Sequence, residues 1–251
     1  MVVKWNVMIP RLTGEKERCA YIYLPDSYET EPEKRYPVMY MFDGHNVFFD
    51  EDATYGKSWG MGEYLQKTGK ELIVVAVEAD PEGNGRLYEY SPFDYENSEI
   101  GKVKGKGATY MKWLVKELKP YIDEHYRTLP DRTNTIIAGS SLGGLMALFA
   151  VTVHNDVFQR GACLSPSLWV APGQVLEMVA RSKVKNDTCI YMDYGSLEMF
   201  NHAANAESLI STGHLLLTKR VNLAFRIVPG GTHSEASWER QIPIFMDCLG
   251  I

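Results

Sequence analysis

The chain has 251 residues, of which 45% are hydrophobic and 23% charged, and its formal net charge is −6. These proportions are those of a globular protein with enough chain to bury a substantial core. The acidic excess argues against nucleic acid as a partner, because no basic surplus is available to neutralise phosphates.

The N-terminus shows no basic segment leading into an apolar one, as a secretory signal would. The longest apolar runs, such as Leu72 to Val77, are far too short to span a bilayer. We therefore expect a cytoplasmic protein with no membrane partner. The cysteines are scattered and have no histidine or second cysteine at ligand spacing, so we expect neither a disulfide framework nor a metal site. They are Cys19, Cys163, Cys189 and Cys248.

The predicted elements alternate between strands and helices. Arg18 to Leu24 alternates polar and apolar residues, which predicts an antiparallel edge strand. Tyr36 to Phe42 and Leu72 to Val77 are apolar and rich in β-branched or aromatic residues, which favours central parallel strands. The segment from Asp80 to Lys106 contains several glycines and prolines and is predicted to be a long, functional loop.

The pattern continues to the end of the chain. Apolar residues recur at helical spacing from Tyr110 to Ile122, which predicts one long amphipathic helix. Further strands are predicted at Thr135–Ala138, Cys189–Met192 and Leu223–Val228, and further helices at Leu142–Val153, Met199–Lys219 and Ser234–Leu249. This alternation predicts a single α/β domain over residues 1–251, with a mostly parallel sheet covered by helices on both faces. Ligands of such sheets bind at the carboxyl ends of the strands.

The most informative stretch is Gly139-Ser140-Ser141-Leu142-Gly143, a G-x-S-x-G pattern between an apolar strand and an apolar helix. This context is that of the nucleophile turn in an α/β-hydrolase fold. The turn strains the backbone of the serine, and side chains two residues away on either side would collide. We predict Ser141 as the nucleophile and the N–H of Leu142 as an oxyanion donor.

A serine nucleophile needs a base, and the base needs a carboxylate to orient it. His233 follows the last predicted strand on a loop with two glycines and a proline, so we predict it as the base. His202 and His214 lie within a helical pattern and are expected to be solvated. The acid should follow the preceding strand, where Glu198 is preferred and Asp193 remains an alternative, whereas Asp187 precedes that strand and is disfavoured.

The second oxyanion donor is expected in the loop after Phe42, because Gly44 permits a tight turn there. The backbone N–H of His45 or of Asn46 is the candidate. The side chains of these two residues are further candidates for contact with substrate.

These motifs resemble the esterase D-like family of α/β-hydrolases. That family includes S-formylglutathione hydrolases, feruloyl and acetyl-xylan esterases, enterobactin esterases and mycolyltransferases. The resemblance covers nearly the whole chain and rests on Tyr40–Phe48, Glu117–Asp123, Gly139–Gly144, Ser165–Trp169, Asp193–Glu198 and His233–Trp238. It implies Ser141 as nucleophile, His233 as base and, after a Gly-Ser turn, Glu198 as acid. Ser140 stands where many members have histidine, and Asp43-Gly44 stands where many have His-Gly. These departures match a subgroup of small intracellular bacterial esterases.

The stretch from Arg86 to Pro92 also looks like a feature of that subgroup. It lies in the predicted long loop, so we expect Arg86, Tyr88 and Tyr90 to contact substrate. Trp169 and Phe93 are expected to complete an aromatic wall with the two tyrosines.

The expected function is that of a serine carboxylic ester hydrolase, working through an acyl-enzyme with no cofactor. Its expected partner is a small-molecule ester with a short-chain or aromatic acyl group, such as an acylated carbohydrate. An acyltransferase or thioesterase on the same fold is an alternative. A binding module without catalysis is a further one, against which the complete set of Ser141, His233 and Glu198 argues.

Overall fold

The computed structural model describes residues 1–97, 101–198 and 202–251. Its strands are β1 Val2–Met8, β2 Glu17–Tyr23, β3 Val38–Met41, β4 Ile73–Val77, β5 Tyr95–Asn97, β6 Gly101–Val103, β7 Thr135–Ser140, β8 Arg160–Leu164, β9 Cys189–Gly195 and β10 Asn222–Val228. β5 and β6 form a small antiparallel hairpin, and the other strands form one sheet in the order β1-β2-β4-β3-β7-β8-β9-β10. β2 pairs antiparallel with both β1 and β4, whereas the remaining neighbours are parallel.

Helices cover both faces of this sheet. They are α1 Pro10–Thr13, α2 Ser27–Thr30, α3 Met61–Thr68, α4 Gly85–Glu89, α5 Gly107–Trp113, α6 Lys119–His125, α7 Leu142–Val153, α8 Pro172–Arg181, α9 His202–Thr218, α10 Glu235–Glu239 and α11 Ile242–Leu249. Two apolar clusters fill the spaces between the sheet and its helices, one on each side. β3 and β4 are buried throughout, which explains why they are continuously apolar. Among the described helices, none is both long and apolar enough to cross a bilayer.

The predicted α/β-hydrolase architecture is confirmed, with one correction at the edge of the sheet. The strand predicted from Arg18 to Leu24 is β2 and is antiparallel, but β1 pairs along its whole length. β1 is therefore the edge strand. It was not predicted from the sequence because Lys4 and Asn6 give its short segment a mixed polar character.

Two predicted helices differ in detail. The helix expected from Tyr110 to Ile122 is continuous, but a π-helical turn at Leu114–Leu118 joins α5 to α6. Pro120 follows this turn and has no N–H to extend the α-helical ladder. The helix predicted from Ser234 to Leu249 is divided into α10 and α11, because Pro243 favours the first turn of a new helix.

The predicted long loop contains regular structure, and the predicted helix from Met199 to Lys219 is described only from His202. The irregular segment from Asp80 to Lys106 contains α4 and the hairpin of β5 and β6. The predicted start of the last long helix, Met199, lies outside the described residues, and the described helix α9 begins at His202.

A buried ion pair joins β2 to α4. Arg18 and Glu89 are 1% and 2% exposed, and Nη1 of Arg18 lies 2.5 Å from both carboxylate oxygens. The Asp80 N–H also donates to Oε2 of Glu89 at 3.1 Å. Burial raises the pKa of Glu89 to about 7 even beside the guanidinium. The pair therefore fixes α4 to the sheet at the cost of desolvating both charges.

Replacing Arg18 with Met tests this attachment. The substitution leaves the Glu89 carboxyl buried without its charged partner, so we expect the free energy of unfolding to fall by about 3–5 kcal/mol. The loss should be larger at pH 8 than at pH 5, because protonation relieves an unpaired buried carboxylate. Urea unfolding followed by circular dichroism measures both effects. Arg181→Met at an exposed site is the matched control and should leave stability nearly unchanged. A loss below about 1 kcal/mol for Arg18→Met would contradict the expectation.

Candidate active site

The turn between β7 and α7 places Ser141 at the carboxyl edge of the sheet. Its backbone has φ 57° and ψ −123°, a conformation that residues other than glycine rarely adopt. The Ser141 N–H donates to the Leu164 carbonyl at the end of β8, at 3.0 Å. The Leu145 N–H donates to the Ser141 carbonyl at 3.0 Å and closes the first turn of α7. The strained residue is therefore held by both a neighbouring strand and its own helix.

Close backbone approach explains the glycines around this serine. A Cβ added to Gly139 would lie 2.6 Å from the backbone of Gly143. One added to Gly143 would lie 2.9 Å from Cβ of Phe42, and one on Gly144 would lie 2.7 Å from the Leu164 carbonyl. The turn can therefore form only where these positions carry no side chain.

The imidazole of His233 is anchored by Glu198. Nδ1 of His233 lies 2.9 Å from Oε2 of Glu198, and the carboxylate is 4% exposed. The other carboxylate oxygen, Oε1, accepts the Gly195 N–H at 2.6 Å. Because Nδ1 faces a carboxylate, the geometry assigns its proton to this hydrogen bond and leaves Nε2 free to accept another.

Asp193, the alternative acid, has a different environment. Its Oδ1 accepts the Ser165 N–H at 3.0 Å, and its Oδ2 accepts the Tyr191 hydroxyl at 2.8 Å. Burial raises the pKa of Asp193 to about 6. The residue connects β8 and β9 behind the site, so the geometry favours Glu198 as the partner of His233.

Residues not predicted from the sequence complete the support of Glu198. The Ser165 hydroxyl donates to Oε1 of Glu198 at 2.5 Å and accepts the Trp238 indole N–H at 2.9 Å. The Trp238 ring also packs edge-on against His233, with ring centroids 5.0 Å apart. The signal for Ser165 is a Ser-Pro-Ser sequence directly after β8, a strand that was not predicted.

A cavity of about 570 Å³ lies over the nucleophile turn and is lined by Ser141, His233 and Glu198 together. Its remaining wall consists of Ser165, Pro166, Ser167, Leu168, Trp169, Pro172, Tyr194, Ala204, Asn205, Ser208 and Leu209. The Ser141 hydroxyl lies 3.3 Å from the Ser167 hydroxyl, and within the described ranges it forms no hydrogen bond to His233. Catalytic hydrogen bonds often tighten only when substrate binds.

The two loops beside Ser141 present backbone N–H groups. Leu142 is the first residue of α7, so its N–H has no acceptor within the helix. In the 3₁₀ turn Gly44–Asn46, the Asn46 N–H donates to the Asp43 carbonyl at 2.8 Å, and its side-chain Oδ1 accepts the Thr54 N–H at 3.0 Å. Asn46 therefore stabilises the loop itself. His45 is left as the candidate donor there.

Three of the four residues expected to contact substrate, Arg86, Tyr88 and Tyr90, do not line this cavity. Tyr90 is fully buried, because it packs between Phe42 and Tyr110 in the core. Arg86 donates to both carboxylate oxygens of Asp43, so its guanidinium is bound within the protein. Tyr88 is half-buried in α4 and does not line the cavity described above.

Trp169 lies at the cavity as expected and is 51% exposed. Phe93, expected beside it, packs against the core instead. Of the two helical histidines, His214 is exposed on α9 as expected. The side chain of His202 lies outside what the structure describes.

Comparison with known proteins identifies the family. The family model described as "Putative esterase" matches residues 13–244. An uncharacterized protein of Bacillus subtilis, YbbA, is 27% identical over 70% of this chain and 67% of its own length. Ferri-bacillibactin esterase BesA of the same organism is 26% identical over 62% of this chain and 57% of its own length. A ferulic acid esterase structure, 21% identical, superposes with a TM-score of 0.70 over 99% of this chain and 98% of that one, which shows the shared fold.

Gly139→Ala tests the close approach at the nucleophile turn. The added methyl group would contact backbone rather than a flexible side chain, so we expect stability to fall by about 1–3 kcal/mol. Gly173→Ala is the matched control, because a Cβ there meets nothing within 4 Å. It should leave stability unchanged or slightly raised. Thermal unfolding measures both, and equal stability of the two variants would contradict the packing argument.

Proposed function

Because the chain belongs to the esterase family matched above, we propose that it is a serine carboxylic ester hydrolase that forms an acyl-enzyme on Ser141. One observation carries the proposal: a single cavity joins Ser141 to His233, whose Nδ1 lies 2.9 Å from Glu198. This is the arrangement of a nucleophile, a base and an orienting carboxylate. The relatives named as a ferri-bacillibactin esterase and a ferulic acid esterase support ester hydrolysis.

In the proposed reaction, Ser141 attacks the acyl carbonyl while Nε2 of His233 accepts the hydroxyl proton. Glu198 keeps the imidazole in one tautomer and stabilises its positive charge. The N–H groups of Leu142 and His45 stabilise the oxyanion, together with the N-terminal end of the α7 dipole. His233 then protonates the leaving alcohol. Water activated by the same imidazole hydrolyses the acyl-enzyme.

The apolar composition of the cavity wall favours an uncharged acyl group. Leu168, Trp169, Pro172 and Leu209 supply apolar surface. Apart from Glu198 and His233, the described lining contains no ionisable acid or base of the Asp, Glu, Lys, Arg or His type. A volume of about 570 Å³ accommodates a short-chain or aromatic acyl group. We include acylated carbohydrates as the substrate class on the family resemblance.

Labelling with a fluorophosphonate tests the nucleophile. We expect one adduct on the wild-type protein by intact mass, located on Ser141 by peptide mapping, and none on Ser141→Ala. Ser140→Ala is the matched control and should still be labelled. An unlabelled wild-type protein that cleaves no ester would favour the binding-module reading over catalysis.

Substituting each candidate acid by its amide separates their roles. Glu198→Gln removes the carboxylate that orients His233, so we expect kcat to fall by about 10³- to 10⁴-fold. Asp193→Asn keeps an acceptor for the Ser165 N–H, so we expect kcat to stay within about tenfold of wild type. Steady-state hydrolysis of a p-nitrophenyl ester gives both values. A larger loss in Asp193→Asn than in Glu198→Gln would make Asp193 the acid.

An ester panel tests the substrate class. We expect kcat/KM to be highest for acetyl, short-chain and feruloyl esters, and to fall for acyl chains beyond about eight carbons, as for an enzyme of acylated carbohydrates. Adding competing alcohols and thioesters to the assay separates a hydrolase from an acyltransferase or thioesterase. A preference for long acyl chains would contradict the carbohydrate-ester assignment.

A further inference from the structure

We propose that Arg86 and Tyr90 are positioning residues that hold the first oxyanion loop, residues 43–46, in the conformation that presents the His45 N–H to an anion. The inference rests on the proposed esterase function, because it concerns a donor that acts on the tetrahedral intermediate. It gives these residues a role different from the substrate contact expected from the sequence.

The conformation of the loop depends on Asp43. This residue has φ 57° and ψ 53°, the left-handed region that non-glycine side chains disfavour, and it is 5% exposed. Such a backbone persists only where its surroundings impose it. Because Asp43 directly precedes the 3₁₀ turn Gly44–Asn46, its backbone angles set the direction in which the His45 N–H points.

Hydrogen bonds on both sides of Asp43 impose this conformation. Nε and Nη2 of Arg86 donate to Oδ1 and Oδ2 at 2.6 and 2.8 Å, a two-point contact that fixes orientation as well as position. The Asp43 N–H donates to the Tyr90 hydroxyl at 3.1 Å. The guanidinium carbon of Arg86 also lies 5.5 Å from the centroid of the Tyr90 ring, so the two supports contact each other.

The supporting residues are themselves fixed. Tyr90 is fully buried, with its ring centroid 5.1 Å from Phe42 and 5.4 Å from Tyr110. Arg86 belongs to α4, whose last residue, Glu89, forms the buried ion pair with Arg18. A helix of five residues is not stable alone, so these contacts make α4 a rigid support for the loop.

Arg86 also controls the charge near the oxyanion. A Cβ added to Gly143 would lie 3.1 Å from Oδ2 of Asp43, so this carboxylate lies against the first turn of α7. An uncompensated negative charge there would oppose the formation of a second one on the tetrahedral intermediate. The Arg86 guanidinium neutralises it. Loss of Arg86 therefore has a geometric and an electrostatic effect, both of which act on kcat.

Kinetics of Arg86 and Asp43 variants test the proposal. We expect Arg86→Gln to lower kcat by about 10- to 100-fold with KM within about threefold, less than the loss of a whole oxyanion donor. Arg86→Lys should retain part of the activity because lysine keeps the positive charge but cannot make the two-point contact with the Asp43 carboxylate. The double variant Asp43→Asn/Arg86→Gln should recover about tenfold over Arg86→Gln, since it removes the uncompensated carboxylate. Arg181→Gln, at an exposed site, is the matched control.

Tyr90→Phe tests the second support. It keeps the buried ring but removes the acceptor of the Asp43 N–H, so we expect a few-fold loss of kcat with little change in KM. Tyr40→Phe is its matched control, because the buried Tyr40 hydroxyl has no hydrogen-bond partner in the described part of the chain. Thermal unfolding of all variants separates loss of activity from loss of fold.

Several results would overturn the inference. A raised KM at unchanged kcat in Arg86→Gln would assign the guanidinium to substrate binding. If the double variant Asp43→Asn/Arg86→Gln were no more active than Arg86→Gln, the electrostatic role of Arg86 would be excluded. Wild-type activity in Arg86→Gln would overturn this inference but leave the proposed function unaffected. A wild-type protein that neither hydrolyses esters nor reacts with a fluorophosphonate would instead overturn the proposed function.

Discussion

The strained backbone at Ser141 is the constraint on which the rest of the site depends. A serine held at φ 57° and ψ −123° between β7 and α7 lies above the carboxyl edge of the sheet, where the loops after neighbouring strands converge. The strain is sustained by the hydrogen bond from the Ser141 N–H to Leu164 and by the absence of side chains at Gly139 and Gly143. The sheet and the helix that follows it therefore stabilise the unfavourable backbone conformation of Ser141.

Two carboxylates near this turn, Asp43 and Glu198, each have specific partners within the protein. Asp43 is bound by Arg86, and Glu198 is bound by the Ser165 hydroxyl, the Gly195 N–H and His233. Buried carboxylates without such partners would carry a large desolvation cost or take up a proton. In the proposed mechanism, the charge of Glu198 stabilises the His233 base, and that of Asp43 is neutralised by Arg86 beside the oxyanion position.

The sequence predicts the nucleophile turn well because local rules determine it. An apolar strand, a G-x-S-x-G pattern and an apolar helix are contiguous. The contact that requires Gly139 lies within that stretch, whereas the contact that requires Gly143 is with Phe42, directly after β3. The pairing of His233 with Glu198 was predictable from chain order and strand ends.

Other parts of the site could not be predicted because they depend on contacts between distant segments. Arg86 and Tyr90 looked like free loop residues, yet they bind Asp43 more than forty positions earlier in the chain. Ser165 follows β8, a strand that was not predicted, so its Ser-Pro-Ser sequence was not placed at the carboxyl edge of the sheet beside Glu198. Edge strand β1 was not predicted for a similar reason. Its composition does not indicate a strand, and its extended conformation is stabilised by backbone pairing with β2.

A crystal structure of the protein after reaction with a fluorophosphonate would show directly whether Ser141, His233 and the two N–H groups act together. We expect phosphorus bonded to Ser141 Oγ, with the phosphoryl oxygen about 2.7–3.1 Å from the N–H groups of Leu142 and His45. Nε2 of His233 should lie within hydrogen-bond distance of Ser141 Oγ, which has replaced the fluoride, with Nδ1 still on Glu198. A phosphoryl oxygen directed away from both N–H groups, or an imidazole out of reach of Ser141, would contradict this expectation.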